Sequence, residues 1–161
     1  MITSIDVELL PTLIGHRLGP TKPVEISQKM IDGFGRITLD QQWIHMDPEK
    51  AKGSQFGTTI AHGFLSLSLL SHVMEELLFV ANTKMAINYG LNKVRFPSAL
   101  ASGSQLRGSV EILKVSTGAQ FVDMACSVSF TADGNDIPCC VAESLTRFML
   151  SDPIKEVDAV N

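Results

Sequence analysis

The chain has 161 residues, 45% of them apolar and 19% charged, with 13 Lys and Arg against 17 Asp and Glu for a formal net charge of −4. That size suits one core of about 100–200 residues, and that composition excludes a disordered chain. No long basic run is present, which excludes the electrostatic footprint of a nucleic-acid binder. Three cysteines, Cys126, Cys139 and Cys140, are odd in number and lack a CxxC spacing. They support neither a disulfide framework nor a zinc or redox motif, and read as buried reduced thiols of a cytoplasmic protein. The first residues carry no basic stretch ahead of an apolar one, so no secretory signal is expected. Residues 53–74 hold no Lys, Arg, Asp or Glu, but Gln55, Gly57, His62, Gly63 and several Ser and Thr keep them short of about 18 consecutive apolar residues. No membrane span is expected.

In chain order, residues 4–10 suit a short helix capped by Ser4 and stopped before Pro11. Gly15, Gly19, Pro20 and Pro23 make a loop, and Val24-Glu25-Ile26 a short strand. Ser27 is a candidate N-cap for a helix running to about Ile37, with Met30, Ile31, Phe34 and Ile37 at helical spacing and Gly33 and Gly35 weakening it. Residues 38–61 show neither period clearly, apart from one helical turn opened by Pro48 and a loop over 53–59. From Gly63 to about Val80 the pattern is one long helix. At about 100° per residue, Leu67, Leu69, Leu70, Val73, Met74, Leu77, Leu78 and Val80 share half of the cylinder. Phe64, Leu65 and Phe79 point outside it. So apolar a helix requires wrapping.

The rest reads as strands. Residues 85–96 form a long candidate broken at Gly90 and ended by Pro97. Leu106, Val110 and Ile112 alternate with polar residues, and Val122, Met124, Cys126, Val128 and Phe130 form the cleanest alternation in the chain. Asp133-Gly134 marks a hairpin turn, and residues 137–149 return as the last strand. Helices first and antiparallel strands after them predict an α+β fold: one long central helix against a curved antiparallel sheet, in a single domain over 1–161. Residues 1–20 are expected as an N-terminal arm and 150–161 as a C-terminal tail.

No GxSxG elbow and no phosphate-binding GxxxxGK[ST] occurs, and Gly33-Phe34-Gly35 lacks the third glycine and the preceding strand of a dinucleotide site. The titratable groups that could carry chemistry are Asp40, His45, Asp47 and His62. His45 and Asp47 have an His-x-Asp spacing but no third ligand at a recognisable offset, so no metal is expected. Asp40 and His45, in a segment rich in amides beside Trp43, could converge on one water for general acid–base chemistry; alternatively Asp40 caps a turn and His45 is an ordinary loop histidine. His62-Gly63 opens the long helix, where free N–H groups could hold a carbonyl oxygen that gains negative charge. A glycine chosen only for close packing is the alternative.

Asp40-Gln41-Gln42-Trp43-Ile44-His45-Met46-Asp47-Pro48, followed by Phe56-Gly57-Thr58-Thr59-Ile60-Ala61-His62-Gly63-Phe64, resembles the hydratase-2 motif of MaoC-like dehydratases, (R)-specific enoyl-CoA hydratases with a hotdog fold. Ile87-Asn88-Tyr89-Gly90-Leu91-Asn92-Lys93-Val94-Arg95-Phe96-Pro97 is similar to a subgroup that includes nodulation protein N. Gln42-Trp43 stands where many members have Asn-Pro, a change that this subgroup tolerates. The resemblance spans residues 20–149.

That resemblance implies a catalytic dyad of Asp40 and His45, with His62 and the Gly63 amide at the thioester oxygen. It also implies a homodimer joined sheet edge to sheet edge, with CoA crossing to the neighbouring subunit near Asn88, Tyr89 and Gly90. The implied activity is reversible addition of water to a trans-2-enoyl-CoA thioester, giving the (R)-3-hydroxyacyl-CoA. No separate cofactor is implied, since CoA is part of the substrate. An acyl-CoA thioesterase on the same fold, or a non-catalytic acyl-CoA-binding protein, are the alternatives.

Overall fold

The computed structural model describes residues 2–151; the tail expected beyond them, from 152, lies outside the described residues. In chain order the elements are strand β1 (Thr3–Asp6), a 3-10 helix (Val7–Leu13), short strands β2 (Arg17–Leu18) and β3 (Val24–Glu25), then helices α1 (Gln28–Thr38), α2 (Trp43–Met46), α3 (Pro48–Lys52), α4 (Gly63–Ser68) and α5 (Leu70–Leu77). Strands β4 (Leu78–Ala81), β5 (Thr83–Arg95), β6 (Gln105–Thr117), β7 (Phe121–Ala132) and β8 (Cys140–Leu150) complete the chain.

The main sheet has the order β2-β6-β7-β8-β5, with β3 also on β6, and its long strands pair antiparallel. The alternation read in the sequence becomes its inner face. Leu106, Val110 and Ile112 of β6, Val122 to Phe130 of β7 by alternate residues, and Cys140, Phe148 and Leu150 of β8 are all buried in one cluster. Leu65, Leu70, Val73 and Leu77 of α4 and α5 lie in that same cluster. The fold is therefore the α+β arrangement expected, with helix packed on an antiparallel sheet. All three cysteines are free and buried. Burial pushes the Cys126 thiol up to about 12 and the Cys139 thiol up to about 11, so both stay protonated and inert at neutral pH.

Several expectations change. Residues 4–10 are not a helix capped by Ser4. Thr3–Asp6 pairs in parallel with Leu78–Ala81, and the 3-10 helix that follows is capped by Asp6, which accepts from the Glu8 N–H at 3.0 Å. The stretch expected as an arm thus contributes Val7 and Leu10 to the core. The long helix is also shorter and interrupted. Leu69 separates α4 from α5, its N–H bonding to the Ser66 carbonyl at 3.2 Å in a tight three-residue turn, and Leu78 is extended. The break shifts the helical phase, so Leu65 is buried, contrary to the projection, while Phe64 and Phe79 are exposed as expected. Residues 78–80 leave the helix because a strand partner exists 75 positions upstream, which no local window contains.

In α1, Ser27 caps as expected, accepting from the Met30 N–H. Its buried stripe centres on Ile31 and Gly35, which leaves Ile37 85% exposed at the outer edge. The break expected at Gly90 is a register shift between Asn88 and Gly90 that leaves Tyr89 without a partner on β8. After Asp133 and Gly134 the last strand begins at Cys140, later than expected, because Pro138 has no N–H and Ile137 is exposed.

Helix and sheet approach closely at Gly108 of β6, where an added Cβ would stand 2.3 Å from a Val73 methyl. Gly33, inside α1, has nothing within 4 Å of that position. Gly108→Ala is therefore expected to destabilise the protein by about 1–3 kcal/mol through overpacking. Gly33→Ala should stabilise it by about 0.5–1 kcal/mol through helix propensity. Urea unfolding followed by circular dichroism checks both, and equal signs for the two would contradict the packing described.

Candidate active site

The site is assembled by the irregular segment between α1 and α4. Helix α1 ends at Leu39 in the left-handed conformation (φ 63°), which turns the chain back on itself immediately before Asp40. Gly35 makes this reversal possible. A Cβ there would stand 2.8 Å from Met46 Sδ, 2.9 Å from the Asp40 carbonyl oxygen and 3.3 Å from His62 Cε1. The glycine that weakens the helix in the sequence is thus the point where three parts of the site press against it. Asp47, the other candidate ligand, accepts from the Lys50 N–H at 2.9 Å and caps α3, with Pro48 in its first turn.

The structure brings Asp40, His45 and His62 together: one carboxylate oxygen and one nitrogen of each ring all lie within 4.8 Å of one another. His45 and His62 are 6% and 3% exposed. Their rings stack, with centroids 3.8 Å apart and planes inclined by 27°. His45 Nδ1 lies 2.7 Å from the Ile60 carbonyl oxygen. A carbonyl can only accept, so Nδ1 carries the hydrogen and Nε2 is left with its lone pair free. By the same argument His62 Nε2–H donates to the Asp40 backbone carbonyl at 2.9 Å, which leaves the buried His62 Nδ1 without a partner. Asp40, His45 and His62 also have the donor types that could hold a metal ion.

Burial is the largest influence on His45 and lowers its pKa. The hydrogen bond to Ile60 opposes this, neighbouring His62 adds to it, and Asp40 opposes it, with lowering as the net result. The site therefore holds His45 neutral, in the tautomer that presents a base.

A cavity of about 320 Å³ opens beside these groups, lined by His45, His62, Gly63 and Ser66, with Phe56, Phe96, Leu100 and Cys139 supplying apolar wall. Gly63 is the first residue of α4, so its N–H has no carbonyl partner within the helix. The Phe96 ring lies against it, and a Cβ at position 63 would come within 2.8 Å of that ring. Gly63 thus packs closely and also has an amide with no partner within its helix.

Asn88, Tyr89 and Gly90 are elsewhere, on exposed β5. Asn88 donates to Ser71 Oγ at 3.0 Å and lines a separate cavity of about 150 Å³, while the Arg147 guanidinium lies 4.0 Å from the Tyr89 ring centroid. The sequence reading missed Gln28 and Thr59. Gln28 Nε2 donates to the His45 carbonyl at 2.8 Å, and the buried Thr59 hydroxyl donates to Gln28 Oε1. No motif signals them; only an amide at the start of a helix facing a threonine 31 residues later would have.

Comparison with known proteins follows the same lines. Residues 10–133 match the family model described as the MaoC like domain. The chain is 41% identical over 150 residues to 3-hydroxyacyl-thioester dehydratase Z of Mycobacterium tuberculosis, covering 92% of this chain and 99% of that protein. It is 36% identical over 140 residues to nodulation protein N of Rhizobium leguminosarum bv. viciae, covering 85% and 87%. The R-hydratase PhaJ1 from Pseudomonas aeruginosa superposes with a TM-score of 0.65 at 23% identity, covering 86% and 82%. At that identity the likeness is one of fold, and the fold is the hotdog. Among the described residues no helix is long and apolar enough to cross a membrane.

An NMR titration of the His45 ring is expected to give a midpoint below the ordinary 6.5. The unfolded chain then takes up this proton first as pH falls. His45 thus costs no stability above 6.5, and a penalty grows as pH drops toward the folded midpoint. His45→Gln should flatten that part of the stability profile in urea unfolding. A midpoint above 6.5 would contradict the environment described.

Proposed function

The chain belongs to the MaoC-like domain family, and on that premise we propose that it is an (R)-specific hydratase of enoyl-CoA thioesters. One observation carries the reading. The His45 Nδ1–H bond to Ile60, at 2.7 Å, leaves Nε2 with a free lone pair, on a residue close to Asp40 and in the wall of a cavity that Gly63 also lines. The relatives named dehydratase and hydratase support the reaction class; the CoA ester and the roles below are our reading.

In the forward direction His45 Nε2 takes a proton from water as the water oxygen bonds to C3 of the trans-2-enoyl group. The π electrons move toward the thioester, whose oxygen gains negative charge and accepts from the Gly63 N–H. Asp40 delivers a proton to C2 on the same face, and the proton gained by His45 returns to Asp40 when the product leaves. The pair thus relays one proton in each turnover. The thioester itself activates the double bond, so the reading invokes no cofactor. Water and thioester meet between a buried, neutral imidazole and apolar walls, where each hydrogen bond is stronger than in bulk solvent.

The same reading includes a homodimer. Strand β5 is an edge with 13 residues, bonded on one side to β8, and it exposes Met85, Ile87, Tyr89 and Leu91. Open edges of this length and apolarity are ordinarily paired or covered. A second copy paired along β5 would cover it and bring Asn88, Tyr89 and Gly90 toward the neighbouring site.

Two measurements test these statements. Hydration of crotonyl-CoA, followed by loss of enoyl absorbance, should fall by about 10²–10⁴-fold in kcat/KM in Asp40→Asn and in His45→Gln. Activity equal to the wild type in either variant rejects the assignment, and release of free thiol without loss of the double bond rejects hydration in favour of thioester hydrolysis. Light scattering at micromolar concentration should give twice the 17.5 kDa chain mass. A fully active monomer rejects the dimer.

A further inference from the structure

We infer that Gln28 is a positioning residue for the catalytic base, because its side-chain amide bonds to the His45 backbone and to the residue before Ile60, the two segments that the tautomer-selecting hydrogen bond joins. The inference rests on the reading of His45 as that base.

The geometry is specific. One end of the selecting bond is the His45 ring and the other is the Ile60 carbonyl, 2.7 Å from Nδ1. Gln28 Nε2 donates to the backbone carbonyl of His45 at 2.8 Å and to Asp32 Oδ1 at 2.8 Å. Its Oε1 accepts from the hydroxyl of Thr59, the residue directly before Ile60. Both amide hydrogens and the amide oxygen are therefore engaged. The orientation is unambiguous, since a flipped amide would set its oxygen against two acceptors.

Thr59 is 1% exposed, so its hydroxyl has no solvent to replace this bond. Asp32, one turn along α1, fixes the amide from its own helix, and Ser27 caps that helix one residue earlier. The 59–60 segment is tied to α2 once more by the Ile60 N–H on the Ile44 carbonyl at 3.0 Å. That bond fixes the backbones alone. Gln28 is the side chain that couples both of them to α1, the helix from which Asp40 emerges.

A scaffold contact of this kind acts on rate more than on binding. Displacement of a catalytic group by about 1 Å can cost 10²-fold in rate, while the thioester's contacts with the cavity walls are unchanged. A glutamine supporting only the fold would instead lower thermal stability and leave the imidazole as it is.

The test uses the full chain with ¹⁵N-labelled histidine, comparing the wild type with Gln28→Met, which keeps the length and removes all three bonds. Thr59→Val removes the hydroxyl bond alone and serves if Gln28→Met does not fold. We expect kcat for crotonyl-CoA to fall about 10–100-fold, with KM within about threefold. The His45 ring nitrogens should change from the Nδ1–H pattern to a mixture of tautomers. Wild-type kcat and an unchanged ring pattern in the variants, even with a lowered melting temperature, overturn the inference. If the wild type hydrates no enoyl-CoA, the functional reading fails by itself. The ring pattern then decides alone whether Gln28 positions His45: a mixture supports it and an unchanged pattern overturns it.

Discussion

The bond from His45 Nδ1 to the Ile60 carbonyl, 2.7 Å long, is the contact on which the rest of the site depends. Imidazole has two nitrogens and one hydrogen in its neutral form, and nothing in the ring itself decides which nitrogen is the base. A carbonyl facing Nδ1 decides it. That carbonyl must itself be held against a buried ring, so the 59–60 segment, α1 and α2 have to meet in one place. Burial then performs a second task with the same contacts: it disfavours the imidazolium and keeps the lone pair available.

Such an arrangement concentrates polar groups where water is excluded, and one of them, His62 Nδ1, is left without a partner. An unsatisfied buried acceptor costs about 1–3 kcal/mol. His62 is retained because the same ring holds the Asp40 backbone through Nε2 and lies flat on His45. The sheet carries this cost. Its inner face contributes the completely buried Ile112, Val122, Met124, Val128 and Phe130, and side chains of this size contribute roughly 1.5–3 kcal/mol each. The interior is apolar so that one corner of it can be polar.

Legibility in the sequence followed the range of the interactions. Strands β6 to β8 were legible because a sheet with one buried face writes a period of two into the chain. Ser27 could be read because a cap is a contact across three residues. The β1–β4 pairing was not, since Thr3 and Leu78 meet only in the folded state. Without that partner the residues 78–80 continue the helical pattern of the segment before them. At the site, Asp40, His45, His62 and Gly63 were read from one segment and its resemblance to a family. Gln28 and Thr59 belong to no motif and are related to His45 only through space.

The sequence by itself determined the α+β class, the apolar faces and the residues able to move a proton, because each is a property of residue type and local spacing. Tertiary structure decided how those residues are used: which nitrogen of His45 keeps its lone pair, that Asp47 caps a helix, that Gly35 and Gly63 are places of close approach, and that β5 is an open edge. Each of these depends on a carbonyl, a ring or a missing strand brought from a distant part of the chain. Hydrogen bonds and steric contacts act over a few ångströms, so which groups come within reach of one another is settled only when the chain has folded.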